Sequence, residues 1–359
     1  MARSRPTRSP PRGSHDHARA IARESPAPRP PGAARAARPG RLPLPGRAAL
    51  GRGNSLACGE TCWRAAAAGW LRASDDPLHD RADPARAGVE PEPAFIAVYR
   101  EVQTLESFHA LAHHPALLAL AEAVLGEPAL PHPNKIARLQ FPQNLAHTTP
   151  AHQDYPFIQG AAETYTAWIP LGDVPRELGG LAVDAGTHRG GPYEYHLSLG
   201  AGGMAVDPAT LPDRWHTADY RAGDVLLFHS HLVHRALPNL TPDRMRLSVD
   251  YRYQARSQPI AASNLLAHTG QITWEEVYRG WRSTELQYYW ERIDLAVQPF
   301  DTRWFENRDR EAFALAEQGD PRARPALLRI AHRDPDPARR AQAEWALAAL
   351  DRADAGRMP

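Results

Sequence analysis

Residues 244–254 read RMRLSVDYRYQ. The stretch alternates without a break. Arg244, Arg246, Ser248, Asp250, Arg252 and Gln254 fall on one face of an extended chain, and Met245, Leu247, Val249, Tyr251 and Tyr253 on the other. A repeat of two is the period of a strand, so the element is settled by pattern alone. Outward from it, KIARLQF (135–141), TAWIPLGDV (166–174) and DVLLFHSHLVH (224–234) are strand-like too, with turn-rich loops such as PRELGG and AGTHRGGP between them. Short strands with no helix of crossover length among them predict an antiparallel sandwich or barrel, not a doubly wound sheet.

Helical spacing flanks this centre. Between 94 and 126 the apolar residues recur at helical intervals, and LESFHALAHHPALLALAEAVLG (105–126) predicts two short helices divided near Pro115 and ended by Gly126. After 270, ITWEEVYRGW, STELQYYWERI and RWFENRDREAFALAEQG read as aromatic helices. ARPALLRIAHRDPDPARRAQAEWALAAL (323–350) is an alanine- and leucine-rich helix pair broken by DPDP, like a single HEAT-type repeat. Residues 1–55 are rich in Arg, Pro, Ala and Gly and lack the apolar surface to offset the entropy of ordering. The expected plan is a disordered or non-native tail over 1–55, one domain over 56–300 with its core at 90–255, and a helical appendage over 301–359.

Composition narrows the function classes. The 359 residues carry 42 basic and 41 acidic side chains, a net charge of +1, which gives no electrostatic case for nucleic acid or an anionic membrane. No apolar run reaches 18 residues, so no transmembrane helix is expected. Cys58 and Cys62 are too few for a disulfide scaffold or a closed zinc site, and the reducing cytoplasm is the default compartment.

Chemistry enters at AHQDYPF, 151–157. On an extended segment, residues two apart share a face, so His152 and Asp154 can converge on one metal. A third ligand is needed, and His234 in FHSHLVHRALPN, 80 residues beyond Asp154, is the candidate. Two histidines and a carboxylate on one face of an octahedron leave three positions open, as in non-haem Fe(II) oxygenases, for a bidentate 2-oxo acid and O2. Were the acid 2-oxoglutarate, its far carboxylate would need a fixed cation, for which the planar guanidinium is suited. Arg246, paired with Ser248, is favoured for that role over Arg244, which is nearer the turn PNLTPD. Gln140 and Trp168 lie on strands expected to flank the site and could line the 2-oxoglutarate pocket, or serve only as core or rim. His229 and His231 read as satisfied barrel histidines, His188 as ordering its own loop, and Lys135, the only lysine, as a solvated strand end.

Taken together, HQD, His234 and the R-x-S strand, with GGLAVDAGTHRGG and AGDVLLFH between them, resemble the phytanoyl-CoA dioxygenase family of Fe(II)/2-oxoglutarate oxygenases over roughly 90–255. The resemblance implies a mainly β fold with flanking helices around a double-stranded β-helix (jelly roll). It implies Fe(II) held by His152, Asp154 and His234, and 2-oxoglutarate anchored by Arg246, with O2 and a small-molecule substrate completing the reaction. The family's spacing of the anchor falls between Arg244 and Arg246, ten and twelve residues beyond His234, so both stay open. Halogenation is disfavoured, since related halogenases replace the metal carboxylate that Asp154 retains. The alternative is a non-catalytic jelly-roll binding module with a helical protein-docking C-terminus, and the four intact groups weigh against it. A cupin would place a glutamate shortly after its paired histidines, and HSHLVHRALPN has none. The loops at about 190–220 and after 255 carry Tyr193, Tyr195, His196, Trp215, Arg256 and Trp274, a mixture suited to a small polar or mixed-polarity molecule.

Overall fold

The alternating stretch is the strand on which the larger sheet is built. The computed structural model describes Gly59 and residues 70–72, 81–270 and 272–355, so the expected tail and the cysteine pair lie outside the described residues. The strands that position the site are β1 (Ala129–Pro131), β2 (Ile136–Gln140), β3 (Thr164–Pro170), β4 (Leu181–Asp184), β5 (Tyr195–Leu197), β6 (Met204–Val206), β7 (Trp215–His216), β8 (Leu226–His229), β9 (His234–Ala236) and β10 (Arg246–Ala255). All pairings among these ten are antiparallel. In the larger sheet β10 takes β1 and β2 along one side and β3 along the other, with β8 beyond β3. The smaller sheet runs β7-β4-β9. A bridge between His152 and His234 and the bond from Val206 N to Ala151 O (2.8 Å) stitch the β5–β6 hairpin to its edge. The result is a jelly roll with flanking helices, its sheets facing each other without closing into a barrel.

Every residue of β10 is buried, for a different reason on each face. Leu247, Val249, Tyr251 and Tyr253 pack with Phe95, Tyr99, Val102, Phe108 and Leu117 of the helices Pro93–Gln103, Glu106–Leu111 and Pro115–Leu125. The phenols reach those helices, Tyr251 donating to Phe108 O (2.6 Å) and Tyr253 to Ala112 O (2.8 Å). Gly126, at φ 77°, ends the last of them in a left-handed cap that a Cβ would disfavour. Glu106–Leu125 reaches a mean hydropathy of 1.2, but its inward residues belong to this core. The opposite face of β10 is polar and equally buried, which costs several kcal/mol unless every charge finds a partner.

Three expectations need correction. The strand foreseen over 224–234 is two strands in different sheets, β8 and β9, because Ser230–Val233 turn the chain between them. The helix expected in STELQYYWERI is only a short 3-10 turn, Tyr289–Arg292, entered through Tyr288 at φ 48°. Its aromatics instead join Trp274, Tyr278 and Trp281 in one cluster. That cluster overturns the third expectation by covering Lys135. The amine is buried, donates to His132 O (3.1 Å) and Pro133 O (3.4 Å), and stands 5.3 Å from the Tyr289 ring.

The chain closes with the helices Glu306–Glu317, Arg324–Arg333 and Pro337–Ala355. Small residues at their contacts (Ala312, Ala316, Ala326, Ala343, Ala346) let them pack closely around Leu327, Ile330 and Leu350.

Candidate metal centre

His152 and Asp154 lie just before a single helical turn, Tyr155–Ile158, and His234 opens β9 directly across the bridge. All three are buried. Nδ1 of His152 lies 2.8 Å from Pro150 O and Nδ1 of His234 lies 3.0 Å from Leu232 O, which assigns a proton to each Nδ1 and leaves each Nε2 as a lone pair. Those Nε2 atoms stand 3.9 and 3.8 Å from Asp154 Oδ1, and the three ligand atoms lie within 4.8 Å of one another. Burial, with His234 alongside, holds the His152 ring down to about 3, and burial lowers His234 against the pull of Asp154. Both rings are therefore neutral donors at neutral pH. Two lone pairs and a carboxylate turned on one another repel unless a cation lies between them, so this donor set fits a divalent metal.

The carboxylate is itself held. One nitrogen of Arg252, Nη2, lies 3.2 Å from both oxygens of Asp154, and Thr166 Oγ1 donates to Oδ2 at 2.5 Å. Arg252 and Thr166 are directly opposite in the β10–β3 register. Burial alone would raise the Asp154 carboxyl, but Arg252 foremost, with the Thr166 hydrogen bond, holds it well below the usual carboxylate range. Asp250 continues the chain of charges, 3.6 Å from Arg252 and 2.8 Å from Arg138. Gln153, between the two ligands, makes four bonds: its amide donates to His231 O (2.6 Å) and Gly191 O (3.0 Å), and its carbonyl accepts from the Tyr195 hydroxyl (2.9 Å) and Tyr193 N (3.1 Å).

Arg246 is paired quite differently. Its Nε donates to Gln140 Oε1 (3.0 Å) and its Nη1 to Ser248 Oγ (2.8 Å), and among the described residues no carboxylate is bonded to it. Burial pulls this guanidinium down to about 10, still protonated at neutral pH. It borders a small cavity, partly open to solvent, whose lining also includes Gln140, Arg138, Glu90 and Gly200. The ring of Trp168 lies 5.9 Å from the guanidinium, and its buried Nε1 has no partner. Trp168 does not line the cavity, and neither do His152 and His234. Arg244 precedes β10, its backbone bridged to Arg81, and is not in the lining.

The remaining histidines stay outside the triad. His231 stacks on Tyr155 at 4.3 Å, and His229 lies 3.5 Å from Glu163 and accepts from His231 N. Thr187, not His188, ties its loop down, donating to Asp184 O (2.8 Å) and accepting from Val233 N (2.9 Å), while the His188 ring faces His229.

The family profile of phytanoyl-CoA dioxygenase (PhyH) matches residues 60–248, just over half of the chain. The chain belongs to that family. Phytanoyl-CoA dioxygenases are iron- and 2-oxoglutarate-dependent oxygenases, and the donor set and the buried arginine described above fit both cofactors. The 1-deoxypentalenic acid 11-beta-hydroxylase of Streptomyces arenae is 34% identical over 158 residues, 40% of this chain and 56% of the relative. Its counterpart from Streptomyces exfoliatus is 32% identical over 159 residues, with the same shares. The chain thus spans about half the length of the curated relatives it matches. Among solved structures, the non-heme alpha-ketoglutarate-dependent epimerase SnoN from nogalamycin biosynthesis is 27% identical with a TM-score of 0.35, over 42% of this chain and 57% of that one. The non-heme monooxygenase ThoJ is 16% identical with a TM-score of 0.43, over 59% and 73%.

Arg252, Thr166 and Gln153 were not singled out from the sequence. The alternation placed Arg252 on the same face as Arg246 and Asp250, but the burial of that face, which makes each charge need a partner, is seen only in the structure. Thr166 and Gln153 carry no such mark.

Proposed function

We propose that the protein is an Fe(II)- and 2-oxoglutarate-dependent dioxygenase that hydroxylates, or otherwise oxidises, an unactivated C–H bond of a small molecule, with release of succinate and CO2. The observation that carries this reading is a buried two-histidine, one-carboxylate set whose carboxylate is held by Arg252, with a second buried arginine, Arg246, on the same face of β10 and bonded only to neutral partners. His152, Asp154 and His234 would hold the iron. Iron and 2-oxoglutarate together supply the oxidising power and consume O2. Arg246 would take the far carboxylate of 2-oxoglutarate, and Ser248, whose oxygen already accepts from Arg246, has its own proton to donate to the same group. Gln140 orients the guanidinium from the other side, and Trp168 walls it off. Arg252 and Thr166 keep Asp154 ionised and aimed, while burial of all three ligands excludes water. The curated relatives are named as hydroxylases of 1-deoxypentalenic acid, and a small molecule of mixed polarity is the matching class for this chain. The reducing cytoplasm suits a ferrous enzyme.

A second reading keeps the C-terminal helices as a protein-docking surface. It is favoured by Trp345, 69% exposed on the helix Pro337–Ala355.

The deciding experiment is anaerobic titration of the Fe(II)-loaded protein with 2-oxoglutarate, following the visible charge-transfer band. A saturable band is expected in the wild type and none in His152→Ala. In Arg246→Ala half-saturation should rise about 100-fold, the scale of a buried ion pair lost from one side. A folded, iron-loaded wild type with no band overturns the proposal.

A further inference from the structure

The cavity beside Arg246 has a wall that the C-terminal helices hold in place. Glu90 forms part of its lining, and Gly200 and Ala201, in the turn of the β5–β6 hairpin, form another part. Arg329, from the helix Arg324–Arg333, is 5% exposed and spans these two parts. Its Nη2 donates to Glu90 O (3.2 Å) and Gly200 O (3.4 Å), and its Nη1 to Pro325 O (3.2 Å). Arg333, one turn on, lies 3.4 Å from the Glu90 carboxylate, and His268 lies 3.8 Å from it. Burial alone would raise that carboxyl, but His268, Arg333, Arg329 and Arg138 draw it down to about 2, so it is an anion at neutral pH.

The hairpin is shaped for this seat. Gly200 and Gly203 have φ of 94° and 71°, where side chains are strained. A Cβ on Gly203 would stand 2.8 Å from Arg329 Nη1, and one on Gly200 2.8 Å from Thr148 O. At the base of the hairpin, Leu197 N donates to Glu311 Oε2 (2.7 Å) and the Leu197 side chain packs into the C-terminal helical core. Further bonds from the hairpin run to Ala151 and Gln153, beside the candidate ligands. A connected set of contacts therefore runs from helix 324–333 to both the cavity wall and the metal-binding segment.

We propose that Arg329 is a positioning residue for 2-oxoglutarate: by tying Glu90 to the Gly200 turn it holds the wall of the cavity that Arg246 lines. The helices over 306–355 then form part of the oxygenase itself. The inference rests on the function proposed above. A purely structural role for Arg329 would lower stability and leave the folded protein's affinity for 2-oxoglutarate untouched.

The test compares wild type, Arg329→Gln and Arg329→Lys by anaerobic 2-oxoglutarate titration, Mn(II) binding, and hydrogen exchange of residues 198–204. In Arg329→Gln half-saturation by 2-oxoglutarate should rise about tenfold, with Mn(II) affinity within about twofold. Exchange in the 198–204 turn should quicken whether or not cofactors are bound. Arg329→Lys should recover most of the loss, since an ammonium still reaches one carbonyl. A folded Arg329→Gln with wild-type affinity for 2-oxoglutarate overturns the inference and leaves the proposed function standing. Should Arg329→Gln fail to fold, Arg333→Gln is read in its place: about a threefold rise supports the inference, and no change overturns it. A wild type that binds Mn(II) but shows no response to 2-oxoglutarate overturns both.

Discussion

A single nitrogen of Arg252 lies 3.2 Å from each carboxylate oxygen of Asp154, with Thr166, its cross-strand neighbour, bonded to one of them. The carboxylate stays charged in a buried site because a cation from the central strand is fixed beside it. Removing that cation should change the metal site without touching any ligand. Arg252→Leu is expected to weaken Mn(II) or Fe(II) binding about 10- to 100-fold. The loss should be greater at pH 6 than at pH 8, because burial then raises the Asp154 carboxyl unopposed by Arg252 and protons compete with the metal. Arg252→Lys should fall between the two. Anaerobic metal isotherms at both pH values measure this, and wild-type affinity in Arg252→Leu would contradict it.

Gln153 makes four hydrogen bonds from a fully buried side chain, two to the His231–Gly191 side and two to the β5 side. Leucine has nearly the same size and none of the bonding. Gln153→Leu should destabilise the fold by about 2–4 kcal/mol, since several buried partners are stranded at once, and Tyr195→Phe by about 1 kcal/mol. Urea unfolding followed by tryptophan fluorescence gives both values. Equal stability of the two variants would show that the carbonyl partners re-solvate.

Lys135 is expected to cost stability. Its amine is buried without a carboxylate bonded to it among the described residues, and burial lowers it from 10.5 to about 7. Between pH 7 and 10.5 the unfolded chain holds the proton and the folded chain does not, so stability attributable to this residue rises with pH across that window. Below pH 7 the penalty is complete. Lys135→Met should therefore stabilise the protein at pH 6, by about 1–3 kcal/mol, with the gain fading toward pH 10. Unfolding midpoints at the two pH values decide the matter; a gain that grows with pH would reverse the sign and refute the account.

The family resemblance and the jelly roll were legible because their signals are local or strongly patterned. HQD, His234 and the alternation of 246–254 are visible without knowing what packs where. The helix ends at Pro115 and Gly126 were legible for the same reason, as proline and glycine act on their own backbone. The surroundings of single polar residues were less legible. Lys135 looked solvated because the aromatic segment that buries it lies about 150 residues away in sequence, at Tyr289. His188 was expected to order its loop, a part that falls to Thr187, whose small hydroxyl fits between Asp184 O and Val233 N.

The sequence by itself determined which residues share a strand face and which elements end where, because a period of two and the backbone limits of proline and glycine are properties of a few consecutive residues. Tertiary structure alone decided the partners. It placed Thr166 opposite Arg252, set Arg246 among neutral groups while Arg252 met Asp154, and brought Arg329 to the cavity wall. Two arginines six residues apart on the same face of one strand look identical in sequence. What separates them is the register of the neighbouring strands and the distance from a carboxylate, quantities that exist only once remote segments have packed.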